Sequence, residues 1–105
     1  MFRKLHSSVA LLLIMMVTTT AISQKHYFKA ERQFELKAFD LAIQNAKKAL
    51  EKDPQCIDCH YIIAESFRMM NESVDAAVWY DKMEKLGPLS PDQAFNYGLL
   101  QKRMG

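Results

Sequence analysis

The stretch D-P-Q-C-I-D-C-H-Y, Asp53 to Tyr61, holds both cysteines of the chain beside a histidine. Cys56, Cys59 and His60 spell C-x-x-C-H, the attachment pattern of c-type haem, in which two thioethers hold the porphyrin and the adjacent imidazole ligates iron. Two thiols three residues apart at a helix start also face one side and can close a small disulfide ring. A helix N-terminus favours thiolate as well, which makes an exposed pair there reactive. Three chemistries therefore fit the spacing: a structural disulfide, haem c, or an exchangeable dithiol. Zinc fits less well, because three clustered ligands fall short of the four that a structural site takes.

Little else in the chain is of a type that performs catalysis. Three glycines, none clustered, cannot cradle a phosphate, and no hydrolase or kinase motif occurs. Glu31 with Glu35, and Asp81 with Glu84, stand at helical spacing next to lysines and read as solvated surface charge. Trp79 and Tyr80 read as helix core, with Trp79 partly exposed.

The elements that must position the cysteines begin after a leader. Arg3 and Lys4 precede an unbroken apolar run from Val9 to Val17, and Ala21-Ile22-Ser23 supplies small residues where a signal peptidase reads. The run is shorter than the ~20 residues that cross a bilayer. The expectation is a secretory signal over residues 1–23 and a mature part over 24–105. Without Arg3 and Lys4 the basic residues balance the 12 acidic ones, so clustered positive charge for nucleic acid is not on offer. Export fits a disulfide, which persists in oxidising compartments.

A period of 34 runs through the mature part. K-A-F-D-L-A-I-Q-N-A-K-K-A-L-E-K-D-P from Lys37 aligns with N-E-S-V-D-A-A-V-W-Y-D-K-M-E-K-L-G-P from Asn71, which sets Ala42 on Ala76, Ala46 on Tyr80, Ala49 on Met83 and Pro54 on Pro88. Ala30, Ala64 and Gly98 share the same spacing, as do Tyr27, Tyr61 and Phe95. Five helices are predicted, over 25–37, 40–52, 57–70, 73–86 and 91–104. Asp53-Pro54 and Gly87-Pro88 stop the second and fourth. Asn71 suits a left-handed turn residue, and Ser90-Pro91-Asp92 is an N-cap, proline and first-turn acid. In this register Cys56 falls on Ser90, the cap position. His60 falls early in the third helix on a packing face, where a porphyrin would wedge the helices apart. His26, Met69, Met70, Met83 and Met104 are of the type for a second axial ligand, with nothing to fix them opposite His60.

These residues resemble the tetratricopeptide repeat (TPR), a 34-residue helix-turn-helix unit with small residues at the eighth and twentieth positions, a small or bulky apolar one at the twenty-fourth and proline at the thirty-second. Ala30, Ala42, Ala46 and Pro54 meet that pattern, and Ala64, Ala76, Tyr80 and Pro88 meet it again. The resemblance covers the mature chain and implies an all-α TPR solenoid of about two and a half repeats, five helices after the signal peptide. Its units are 24–56, 57–90 and 91–105. Small residues allow close antiparallel helices, and each pair must stack on the next to bury its other face.

The family uses the first helix of each unit to line a concave binding face. Carried over, that face comprises Tyr27, Phe28, Glu31, Tyr61, Glu65, Arg68, Met69, Phe95, Leu99 and Lys102, with Phe34, Ile62, Asn96 and Arg103 beside them. Aromatic residues flanked by charges of both signs suit a peptide or protein partner. The lysine and asparagine clamp that some members place on a C-terminal carboxylate is absent, since Tyr27 and Tyr61 stand where its lysine would be. The implied function is a non-catalytic interaction scaffold of the periplasm or cell envelope, without a cofactor. The rival is a small c-type cytochrome or thiol-redox protein using Cys56, Cys59 and His60.

The fifth helix lacks a second helix of its own unit, and Phe95, Leu99, Leu100 and Met104 are expected to leave it apolar, so the reading is a piece of a longer array or a helix docked on a partner. The stretches A-E-S-F-R-M-M-N, A-V-W-Y-D-K and F-N-Y-G-L-L-Q are similar to the N-terminal TPR region of Bacteroidetes-type outer-membrane proteins with a C-terminal OmpA-like domain. That similarity implies outer-membrane association.

Overall fold

A computed structural model describes residues 21–105. They form five α-helices: α1 over 21–35, α2 Phe39–Lys52, α3 Ile57–Met69, α4 Ser73–Leu86 and α5 Pro91–Met104. No strand occurs among the described residues. The predicted positions hold for α2 to α5. α1 differs, because it is already helical at Ala21. Ser23 is buried there, and its hydroxyl donates to the Ala49 carbonyl of α2 at 3.2 Å. The expected boundary after Ser23 therefore falls within α1, and the rest of the predicted signal, residues 1–20, lies outside the described residues.

The turns repeat with the sequence period. Lys37 and Asn71, 34 apart, both take left-handed backbone, with φ 61° and 62°, and Gly105, a further 34 on, has φ 96°. After α1 the amides of Lys37 and Ala38 donate to the carbonyls of Phe34 and Gln33; after α3 those of Asn71 and Glu72 donate to Arg68 and Phe67. This is the Schellman closure of a helix end, in which the left-handed residue lets two late carbonyls find donors. The opposite ends also correspond. Cys56 caps α3 by accepting from the Cys59 amide at 3.1 Å, and Ser90 caps α5 by accepting from the Gln93 amide at 3.2 Å while Gln93 reaches back to the Ser90 amide.

Each short turn folds a helix back on its predecessor. Ser23 meets Ala49 near one end of the α1–α2 pair, and Gln33 Oε1 accepts from Asn45 Nδ2 near the other, an antiparallel order. Ala30, Ala42 and Ala46 are wholly buried between these helices, as are Ala64 and Ala76 between α3 and α4. With only a methyl group at the crossing, backbones pack closely and larger side chains fill the flanks. One apolar cluster joins α1, α2 and α3 through Ile43, Ile62 and Ile63; a second joins α3, α4 and α5 through Tyr80, Met83 and Leu100. α3 belongs to both, so its burial is two-sided.

α5 departs from the expectation in two places. Leu100, expected on its apolar surface, is buried, whereas Gly98, expected in close contact like Ala30 and Ala64, is exposed, and a methyl group built on it would meet nothing within 4 Å. Ala30 is covered by α2 and Ala64 by α4, and among the described residues no helix follows to cover Gly98. Phe95, Leu99 and Met104 are exposed, as expected.

Two substitutions test this account of turns and helices. Lys37→Gly removes a side chain from left-handed backbone and should stabilise the fold by about 1 kcal/mol. Gly98→Ala, in an open helix interior, should stabilise it by about 0.5–1 kcal/mol. Each is expected to raise the melting temperature by several degrees, and Lys37→Ala should give much less than Lys37→Gly.

Candidate functional site

α1 and α3 lie side by side in the same sense, and a groove of about 350 Å³ runs between them. Tyr27, Glu31, Phe34 and Glu35 line it from α1; Asp58, Tyr61, Ile62 and Glu65 line it from α3. The order along both helices is the same, as expected when one antiparallel helix intervenes. α5 continues the row beyond α3. Asn96 donates to the Tyr61 hydroxyl of α3, and Arg103 donates at 2.9 Å to the side chain of Asn71 in the turn that follows α3, so the contacts of α5 advance in the direction of α3.

The residues expected to contact a partner divide into three groups. Tyr27, Glu31 and Tyr61 line the groove together. Phe28, Met69, Phe95, Leu99 and Lys102 are exposed, with Phe28 at 61 % and Phe95 at 67 %, and Phe28 lies edge-on to Tyr27 with ring centroids 5.5 Å apart. Glu65 and Arg68 are committed elsewhere. Glu65 is only 5 % exposed, although it borders the groove, and both its oxygens accept from the Arg68 guanidinium at 2.7 Å. One of them also accepts from the Tyr80 hydroxyl at 2.6 Å. The pairing has an electrostatic cause: a carboxylate buried by α4 must be paired, and Arg68, one turn on, supplies the fork that fits it. Glu35 and Asp58, not among the expected residues, also line the groove; they stand at the thirteenth and second positions of their units.

Burial, and then the Glu65 carboxylate it serves, push the Tyr80 phenol far above its ordinary value. Burial likewise raises Tyr27, with Glu31 and Asp58 adding to it, and raises Tyr61 against the opposing hydrogen bond from Asn96. The hydrogen bond to Glu65 raises Arg68. Tyr80 also stacks on Tyr97, centroids 4.7 Å apart and planes 4° from parallel. A charged triad thus fastens α3 to α4, and a ring stack fastens α4 to α5.

At the start of α3 the Cys56 and Cys59 sulfurs are bonded to one another at 2.14 Å. Cys59 is wholly buried and Cys56 half-buried. His60 is 7 % exposed; its Nδ1 donates to the Cys56 carbonyl at 2.7 Å, and its ring packs against Trp79. Haem c does not fit this arrangement. Its thioethers need both sulfurs, and here the two are bonded to each other with Cys59 sealed in the core. Trp79 in turn carries the Lys82 ammonium 4.0 Å from its ring centre, which leaves it no open stacking face on that side.

The triad makes a pH prediction. The phenol pKa of Tyr80 lies higher in the folded than in the unfolded chain, so its stabilisation is complete below the ordinary value of 10.0 and is lost as pH rises beyond it. Tyr80→Phe should cost about 1.5–3 kcal/mol at neutral pH. It should also shrink the fall in urea midpoint between about pH 8 and about pH 11. An unchanged alkaline slope in the variant would count against the triad. No protein-family model and no curated protein matches this chain.

Proposed function

We propose that the chain is an exported interaction scaffold of the TPR type, whose exposed row of α1, α3 and α5 binds a peptide or partner protein and which performs no catalysis. The observation that carries the reading is the common period of sequence and backbone: left-handed turn residues at Lys37, Asn71 and Gly105, helix caps at Cys56 and Ser90, and buried small residues at Ala30 and Ala64, each set 34 apart. The groove between α1 and α3, with Phe28 and Phe95 exposed beside it, supports the location of the binding face. The apolar run at Val9–Val17 and the disulfide support export to the periplasm or the outer membrane. No described helix is long and apolar enough to cross a membrane.

A second reading, dithiol–disulfide exchange, is favoured by one observation: Cys56 is reachable at a helix start while Cys59 is buried behind it. Intact mass and a visible spectrum of the exported protein separate the readings from a c-type cytochrome. The expected mass is two protons short of the reduced chain, with no Soret band; a porphyrin-sized increment would overturn both.

For the binding face, a photo-crosslinking amino acid in place of Phe28 or Phe95 should give a discrete adduct in the native envelope, and one in place of Val74, exposed on α4, should not. Equal adducts from all three positions, or none, would refute the assignment. Tyr61→Ala should weaken that adduct while helicity stays intact. Ala64→Trp should instead overpack the α3–α4 crossing and lower the melting temperature, at a cost of about 1–3 kcal/mol or more.

A further inference from the structure

The groove between α1 and α3 has apolar walls and a rim of a single charge sign. Tyr27, Phe34 and Tyr61 give it half-buried aromatic faces, and Ile62 is buried beside them. Four carboxylates line it, and among the described residues no lysine or arginine does. Glu65 is already answered by Arg68. Glu31, Glu35 and Asp58 are exposed, and none forms an ion pair among the described residues. The basic residues of α1, Lys25, Lys29 and Arg32, are exposed but do not line the groove.

We infer that this groove takes a lysine or arginine side chain from an extended basic peptide, with its aliphatic stem against Tyr27, Phe34 and Tyr61 and its cationic head among Glu31, Glu35 and Asp58. The inference rests on the scaffold reading and names its ligand class. A volume of about 350 Å³ is at the small end of ligand pockets and suits one long side chain better than a cofactor. Among the described residues no three carboxylate, cysteine or histidine side chains stand close enough to hold a metal ion. The acids are therefore spread, a spacing that answers an ammonium or guanidinium group with several donors rather than a point ion. Aromatic faces attract the same cations and cover their methylene stems. An acidic peptide or an anionic lipid surface would meet like charge at every side of the rim.

The test uses the full chain and short dye-labelled peptides with blocked ends: repeats of Arg-Ser-Leu, Gln-Ser-Leu and Glu-Ser-Leu. Anisotropy should rank them in that order, with the arginine peptide about tenfold tighter than the glutamine one and weakened by salt. Amide shifts from the arginine peptide should concentrate at 27–35 and 58–65. Combining Glu31→Gln, Glu35→Gln and Asp58→Asn should abolish the arginine preference while circular dichroism stays unchanged. Equal binding of the arginine and glutamine peptides in the groove overturns the cation preference and leaves the scaffold reading standing. Arginine binding that survives the triple substitution, or shifts scattered over all acidic surfaces, overturns the inference as general charge attraction. If no peptide moves those amides the inference also falls, and crosslinking from the Phe28 and Phe95 positions decides separately whether the scaffold reading survives.

Discussion

The two-sided burial of α3 is the constraint on which the other features depend. Ile62 and Ile63 belong to the cluster shared with α1 and α2, and Ala64 to the cluster shared with α4 and α5, so neither cluster closes without this helix. A helix enclosed on two faces needs a small residue where a backbone crosses it and an internal partner for every charge it buries. Ala64 meets the first requirement. Arg68 and Tyr80 meet the second for Glu65. Removing the charged partner of such a buried carboxylate typically costs about 3–5 kcal/mol, because the remaining charge stays desolvated. That is a large share of the stability of a domain this size.

The disulfide belongs to the same constraint. Cys56 stands at the N-cap, where its sulfur accepts from the Cys59 amide, and Cys59 reaches the core within the first turn. The link fixes the start of α3 relative to the turn after α2. Closing so small a loop limits the unfolded chain only modestly, by about 2 kcal/mol in a chain-entropy account. Its effect is local: it holds Asp58 at the groove rim and His60 against Trp79. A motif whose residues can attach haem elsewhere is, in this setting, part of the joint between two helix pairs.

Inward and outward acids thereby acquire different roles. Glu65 and Glu31 occupy one register position of successive units, as their spacing of 34 shows, yet the first is enclosed by α4 and neutralised while the second faces the groove from the first helix. The contrast arises because the positions of Arg68 and Tyr80, which donate to Glu65, hold Phe34 and Ala46 in the first unit, and neither of these side chains has a donor to offer Glu31.

The sequence by itself determined the helices and their period. Proline after Asp53 and Gly87, the cap at Ser90 and the small residues at Ala30, Ala42, Ala64 and Ala76 act through local backbone geometry and side-chain size, which do not depend on distant partners. Asn71 as a left-handed residue was legible for the same reason, while Lys37 was not, because lysine has no local preference for that conformation and is held in it by the Schellman bonds at the end of α1. What tertiary structure decided was exposure and pairing. The sequence carries the same small-residue signal at Gly98 as at Ala30 and Ala64, but close contact requires a helix opposite, and among the described residues nothing lies within 4 Å of a methyl group there. Likewise the pairing of Glu65 with Arg68 and Tyr80, and the place of Glu35 in the groove, were not legible, since which groups surround a carboxylate in space is not specified by its own chain neighbours.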